Sequence, residues 1–171
     1  LGSWVIRLLL EDECQVVAFD ISEDDRRHQL VIGPEDRKRI KYVKGDLTDS
    51  DQVMSAAEGA SRIIHLGALQ VPFCRADRPM GAAVNVVGTV NIFEAALRHS
   101  IEHLVYASSV AVFGNAEDYE LSTIGPEERR LPTTLYGIWK CANESTARIY
   151  ENDYGLPSVG LIPHTIYGPG R

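Results

Sequence analysis

Tyr136 and Lys140 stand four residues apart in the run Tyr-Gly-Ile-Trp-Lys. On a helix that spacing puts both side chains on one face, within reach of one point. A free phenol titrates near pH ~10. A lysine ammonium beside it favours the phenolate and lowers that value. The pair is then a base for a substrate hydroxyl near neutral pH. The spacing alone is weak evidence: seven tyrosines and four lysines in 171 residues give roughly 0.2 such pairs by chance. A helix pair held by packing is the alternative. Ser109, in Ser-Ser-Val-Ala-Val-Phe-Gly, can bind the same substrate oxygen as Tyr136 or simply cap a turn.

Asp20 closes the apolar run 15–20, about 18 residues after Gly2. In dinucleotide-binding folds an acid there hydrogen-bonds the adenosine ribose and repels a 2′-phosphate. The next two residues, Ile21 and Ser22, supply no arginine for that phosphate, although Arg26 and Arg27 follow. A turn aspartate capping the next helix is the other reading. Asn85, early in a helical pattern, can tie neighbouring loops together or act as a cap, and Gly88 lets that helix pack closely on a sheet. His65, on an apolar run, reads as a satisfied core histidine, and no metal site is visible.

These residues need elements to position them, and hydrophobic periodicity supplies alternating strands and helices. A helix follows Gly2-Ser3, with Trp4, Val5, Leu8 and Leu9 as its apolar stripe. Strands are predicted at 15–20, 40–43, 62–66, 103–107 and 158–162. Ser22 is the expected N-cap of a helix with Glu23, Asp24 and Asp25 in its first turn. Thr48 or Asp49 caps another helix through Ala57, and long helices cover 82–98 and 133–154, the second stopped by Gly155-Leu156-Pro157. Residues 110–132 read as loop. Such alternation implies a parallel sheet covered on both faces, with ligands at the carboxyl ends of its strands. Asp20, Asp46, Leu66 to Ala68, Ser108-Ser109 and Pro163-His164 all lie just past a strand.

The length suits one domain. A net charge of −7, from 17 basic and 24 acidic side chains, argues against a nucleic-acid or anionic-membrane binder. No apolar run approaching ~18 residues is apparent, so no spanning helix is expected. Three widely spaced cysteines, without a C-x-x-C pattern, read as reduced thiols of a cytoplasmic protein. The sequence opens on a helix and stops in a turn, which reads as a piece of a longer chain.

Taken together the residues resemble the extended short-chain dehydrogenase/reductase superfamily, in its NAD-dependent epimerase/dehydratase branch. The matching pieces run along the whole sequence: Leu1-Gly2-Ser3, VVAFD (16–20), GDLTD (45–49), IIHLGA (63–68), NVVGTVNIFEAA (85–96), VYASSVAVFG (105–114), YGIWKCANE (136–144) and IYGPGR (166–171). The resemblance implies a doubly wound, Rossmann-like parallel sheet lacking its first strand and its C-terminal substrate domain, so that 1–171 is a partial dinucleotide-binding domain. It implies NAD as cofactor. Gly2 would be the last glycine of a G-x-x-G-x-x-G loop, Asp20 would bind the adenosine ribose, and Asp46 and Leu47 would hold the adenine. Leu66, Gly67, Ala68 and Gln70 would line the cofactor, with Asn85 in support. Ser109, Tyr136 and Lys140 would be the catalytic group. Lys140 would also bind the nicotinamide ribose, with Pro163 and His164 near the nicotinamide.

Gly67 stands where the family often has alanine. Sugar-nucleotide 4,6-dehydratases carry an acid pair where this sequence has Val110 and Ala111, which disfavours water elimination. The resemblance therefore implies an NAD-dependent nucleotide-sugar epimerase working through a transient ketone. A dehydrogenase of a sugar or other small polyol is the nearest rival, and a non-catalytic NAD sensor or scaffold a rival of another class. A homodimer paired through helices 82–98 and 133–154 is expected, since Val86, Val90, Ile92 and Phe93 give the first of them apolar residues on more than one face.

Overall fold

The computed structural model describes residues 1–120 and 123–170. Leu121 and Ser122, within the predicted loop, and Arg171, the last residue of the IYGPGR piece, lie outside the described residues. The chain divides into two units, one of residues 1–46 with 165–171, the other of residues 47–164.

In the first unit, helix α1 (Gly2–Glu11) leads into strand β1 (Val16–Asp20), short helices α2 (Arg26–Gln29) and α3 (Pro34–Arg37), and strand β2 (Ile40–Lys44). The strands are parallel, in register from Val16↔Ile40 to Asp20↔Lys44. Leu10, Val16, Ile32 and Ile40 form the core, with Ile6, Leu9 and Ala18 packed on it. The buried stripe of α1 is thus Ile6, Leu9 and Leu10, not the expected one. Trp4 and Leu8 are exposed, and the Trp4 indole donates to the Pro169 carbonyl at 3.0 Å. The helix expected from Ser22 begins four residues later. Ser22 Oγ accepts from Asp24 N, and Asp24 Oδ1 from Arg26 N, each at 3.1 Å. The chain spends those residues in side-chain-closed turns, which compete with the helix.

In the second unit, α4 (Ser50–Ala57) is capped by Asp49, which accepts from the Asp51 and Gln52 amides at 3.0 Å. Then come β3 (Arg62–His65), α5 (Val71–Ala76), α6 (Arg78–Ala82), a π-turn over Ala83–Val87, α7 (Gly88–Arg98), β4 (His103–Ala107), α8 (Leu135–Tyr154) and β5 (Ser158–Leu161). The sheet is parallel, in order β3-β4-β5, with His65↔Tyr106 and Ala107↔Leu161 at its carboxyl end. Phe93 of α7 packs at its centre, 5.9 Å from the Tyr106 ring and 5.0 Å from the Tyr150 ring of α8. Thr134 caps α8 by accepting from Gly137 N at 3.0 Å, and Gly155 closes it in the left-handed conformation (φ 66°). The 110–132 stretch carries two 3₁₀ turns, Val110–Val112 and Ala116–Asp118.

Two expectations change here. The helix predicted over 82–98 is present and starts earlier, at Arg78, with a π-helical segment at Ala83–Val87 inside it. The segment Arg78–Arg98 is also long and apolar enough to cross a bilayer by length and composition, with a mean hydropathy of 1.4. In this structure its Asn85, Thr89, Ile92, Phe93, Ala95 and Ala96 are buried within the second unit, while Met80 and Val87 are exposed.

Candidate active site

Three consecutive residues leaving β4 are each held by one stripe of α8. Lys140 Nζ donates to the Ala107 carbonyl at 2.6 Å. Ser108 Oγ donates to Glu144 Oε1 at 2.5 Å. The Ser109 hydroxyl lies near enough to the Tyr136 phenol to favour its ionised form. Tyr136, Lys140 and Glu144 follow at intervals of four on one helix face, so a single helix fixes the end of the strand. Ser109 also fills the simpler role foreseen for it: its Oγ accepts from Ala111 N at 3.2 Å and caps the 3₁₀ turn. Lys140 is 2% exposed, and its Nζ is 5.7 Å from the centroid of the Tyr136 ring.

The electrostatics differ from the expectation that lysine lowers the phenol. Burial dominates and raises Tyr136, with the nearby Ser109 hydroxyl acting against it. Burial also brings Lys140 down to about 8. Removing a charge from water disfavours the phenolate and the ammonium alike, and the ammonium is turned toward a backbone carbonyl. Tyr136 is therefore a phenol at neutral pH in this arrangement.

Asn85 is 1% exposed. Its Oδ1 accepts from Leu69 N at 2.8 Å and its Nδ2 donates to Leu69 O at 2.9 Å. Its carbonyl accepts from Thr89 Oγ1 and from Asn143 Nδ2, both at 2.9 Å. Asn85 thus ties the loop after β3, which carries Leu66, Gly67, Ala68 and Gln70, to α7 and α8. The π-turn around it matches the tendency of such turns to occur at functional sites. Leu47 packs where a Cβ on Gly67 or Gly88 would meet it, at 2.6 and 2.9 Å. Gly88 therefore admits a loop, not the sheet that its spacing suggested. Pro163 lies beside the Ser109 turn, its carbonyl accepting from Val110 N at 3.4 Å, and the neighbouring His164 is exposed.

The remaining predicted residues belong to the first unit. Gly2 begins α1, whose N-terminus has no side-chain cap; such an end suits a phosphate. The Asp20 carboxylate is exposed at the end of β1 and accepts from Ser22 N at 2.9 Å through Oδ1, which leaves Oδ2 facing solvent. Asp46 is half-buried just past β2. Arg26 is taken up by Asp24, at 2.6 Å between Nη2 and Oδ2.

Sequence reasoning placed Ser108 just past a strand but missed its partners Glu144 and Arg130. Glu144 Oε2 accepts from Arg130 Nε at 2.8 Å, with both side chains mostly buried. Arg130 also donates to the Pro126 and Glu128 carbonyls and lies 4.9 Å over the Phe113 ring. One available signal was the step of four continuing from Lys140 to Glu144; nothing in the sequence marked Arg130.

A parallel α/β unit with these groups gathered past the carboxyl ends of its strands defines a Rossmann-like protein. The chain belongs to the NAD dependent epimerase/dehydratase family, whose pattern matches residues 1–171. It is 33% identical over 172 residues to a UDP-glucose 4-epimerase of Mycolicibacterium smegmatis, covering 99% of this chain and 54% of that protein. It is 36% identical over 118 residues to a uronate dehydrogenase of Pseudomonas syringae pv. tomato, covering 68% and 40%. The structure of Thermus thermophilus UDP-glucose 4-epimerase complexed with NAD superposes with a TM-score of 0.81 at 25% identity, covering 94% of this chain and 50% of that one. The chain spans about half the length of the curated relatives it matches.

Proposed function

We propose that the protein carrying this chain is an NAD-dependent nucleotide-sugar epimerase, with 1–171 as part of its dinucleotide-binding domain. The observation that carries this reading is the gathering of Tyr136, the Ser109 hydroxyl and a buried Lys140, whose Nζ is 5.7 Å from the centroid of the Tyr136 ring, past the end of β4. In the first unit, the helix start at Gly2 suits a phosphate and the Asp20 carboxylate suits a ribose hydroxyl; in the second, Lys140 suits another ribose. When bound, NAD supplies a hydride acceptor and donor.

Tyr136 exchanges a proton with the substrate oxygen, and Ser109 donates a hydrogen bond to that same oxygen. Tyr136 is raised by burial, so it is ready to return a proton to a ketone oxygen. Accepting one is helped by the nearby Ser109 hydroxyl, which favours the phenolate.

Tyr136→Phe should lower turnover by about 10²–10⁴ and leave NAD affinity, measured by calorimetry, within twofold. Full turnover in that variant would remove Tyr136 from the chemistry. The likeness to a uronate dehydrogenase supports a second reading, net oxidation with release of NADH. Absorbance of NADH under turnover separates the two. NAD should bind more tightly than NADP, because Asp20 faces a 2′-phosphate and Arg26 is held by Asp24. Equal dissociation constants would refute that preference.

A further inference from the structure

Ser108, the residue before Ser109, is 2% exposed. Its N–H donates to the Leu161 carbonyl at 2.8 Å, and its hydroxyl donates to Glu144 Oε1. The other Glu144 oxygen accepts from Arg130 Nε at 2.8 Å, so both oxygens are engaged and the carboxylate is held in one orientation. Arg130 Nη1 donates to the Pro126 and Glu128 carbonyls, and its guanidinium lies over the Phe113 ring. Phe113 directly follows the 3₁₀ turn that Ser109 caps. The contacts close a ring that runs from Ser109 through its turn to Phe113, Arg130, Glu144 and Ser108, and back to Ser109.

A mostly buried ion pair is weak evidence for stability, because packed apolar side chains of similar volume often serve as well. What such a pair can supply is one defined arrangement. Here both ends of the ring arrive at the residue whose hydroxyl lies beside the Tyr136 phenol. The Ser109 backbone is extended, with φ −164° and ψ 152°, so the direction of its side chain follows from how its neighbours are fixed. Ser108 fixes one side and the Val110–Val112 turn the other.

We propose that Glu144 and Arg130 are positioning residues, which act through Ser108 and the Val110–Val112 turn to hold the Ser109 hydroxyl beside the Tyr136 phenol. Their bearing on the reaction rests on the reading of Ser109 and Tyr136 given above.

The test follows the Tyr136 phenol by fluorine NMR of the protein carrying fluorotyrosine, whose phenols titrate nearer neutral pH, with Tyr136→Phe assigning the signal. Glu144→Gln, Ser108→Ala and Arg130→Lys are compared with the unaltered protein. Arg130→Lys keeps the charge and loses the fork. Lys140 of the same helix and Cys74 and Arg75 of α5 are the other ionisable groups around Tyr136, and all are kept. Removing the Glu144 anion would by charge alone favour the phenolate and lower the phenol. Releasing Ser109 does the opposite, so the sign separates the two effects. Each variant should titrate about one pH unit higher, the equivalent of one ordinary hydrogen bond. Ser108→Ala changes no charge and little volume, and serves should Glu144→Gln fail to fold. Glu94 of α7 accepts from Tyr150 of α8, so Glu94→Gln loosens the same helix elsewhere and should leave the Tyr136 signal unmoved. An unmoved or lowered phenol in both Glu144→Gln and Ser108→Ala, or an equal rise in Glu94→Gln, overturns the proposal. The titration uses neither NAD nor substrate. Failure of the epimerase reading would show instead as no turnover of UDP-glucose by the unaltered protein, with the titration result standing.

Discussion

His65 ends β3 at 5% exposure, with Nε2 3.1 Å from Thr89 Oγ1. Burial, reinforced by the nearby Lys140 charge, depresses it to about 3. Between pH ~6.5 and ~3 the unfolded chain holds a proton that the folded chain refuses. Stability is thus retained above the unfolded value and lost as the pH falls, with a slope approaching about 1.4 kcal/mol per pH unit. His65→Gln should be less stable at pH 7 yet show a flatter profile. Urea unfolding of both proteins from pH 7 to 4 checks this, and parallel profiles would show that His65 does not titrate on unfolding. The core role of His65 was legible from its apolar strand. The elevated phenol of Tyr136 was not, because burial is set by residues distant in sequence, whereas the four-residue spacing suggested only the charge next door. Asp20 was legible as an acid at a strand end, and its Oδ1 serves the turn by accepting from Ser22 N.

Elements were legible where their periodicity is strong. The five strands fall within a residue or so of their predicted ends. The π-turn was not, because a run of Ala, Val and Gly looks helical whether its backbone repeats at four residues or five. Its carbonyl at Asn85 is satisfied by side chains from Thr89 and Asn143, and the second of these lies 58 residues away. Helix α8 depends on a close approach that composition also hides. A Cβ at Gly137 would clash with the Ala111 carbonyl oxygen and approach the Pro132 Cβ to 2.9 Å. Alanine is the better helix former by about 1 kcal/mol, yet Gly137→Ala should destabilise by about 1–3 kcal/mol, since backbone has to move. Chemical denaturation gives the sign directly, and a stabilised variant would mean that the turn at 110–112 yields freely.

At the scale of the molecule, the parallel α/β class was readable from alternation, whereas the assembly surface needs revision. Ile92 and Phe93, part of the reason for expecting a homodimer, are buried within their own chain at 8% and 0% exposure. The exposed large apolar side chains of those helices are Val87, Leu135, Ile138, Ile149 and Tyr154. Ile138 and Ile149 lie about three turns apart on one stripe of α8. The protein should be a dimer by light scattering at micromolar concentration, and the double variant Ile138→Asp, Ile149→Asp a monomer. A variant that stays dimeric would locate the contact elsewhere. The first unit is built from both ends of the sequence, and the Trp4–Pro169 hydrogen bond joins residues 165 apart. During synthesis, residues 47–164 leave the ribosome as one uninterrupted stretch. Residues 1–46 emerge before them but gain their last contacts only when 165–170 have been made. At about 5–20 residues per second, residues 1–46 wait several seconds after their own synthesis for the segment that completes their unit.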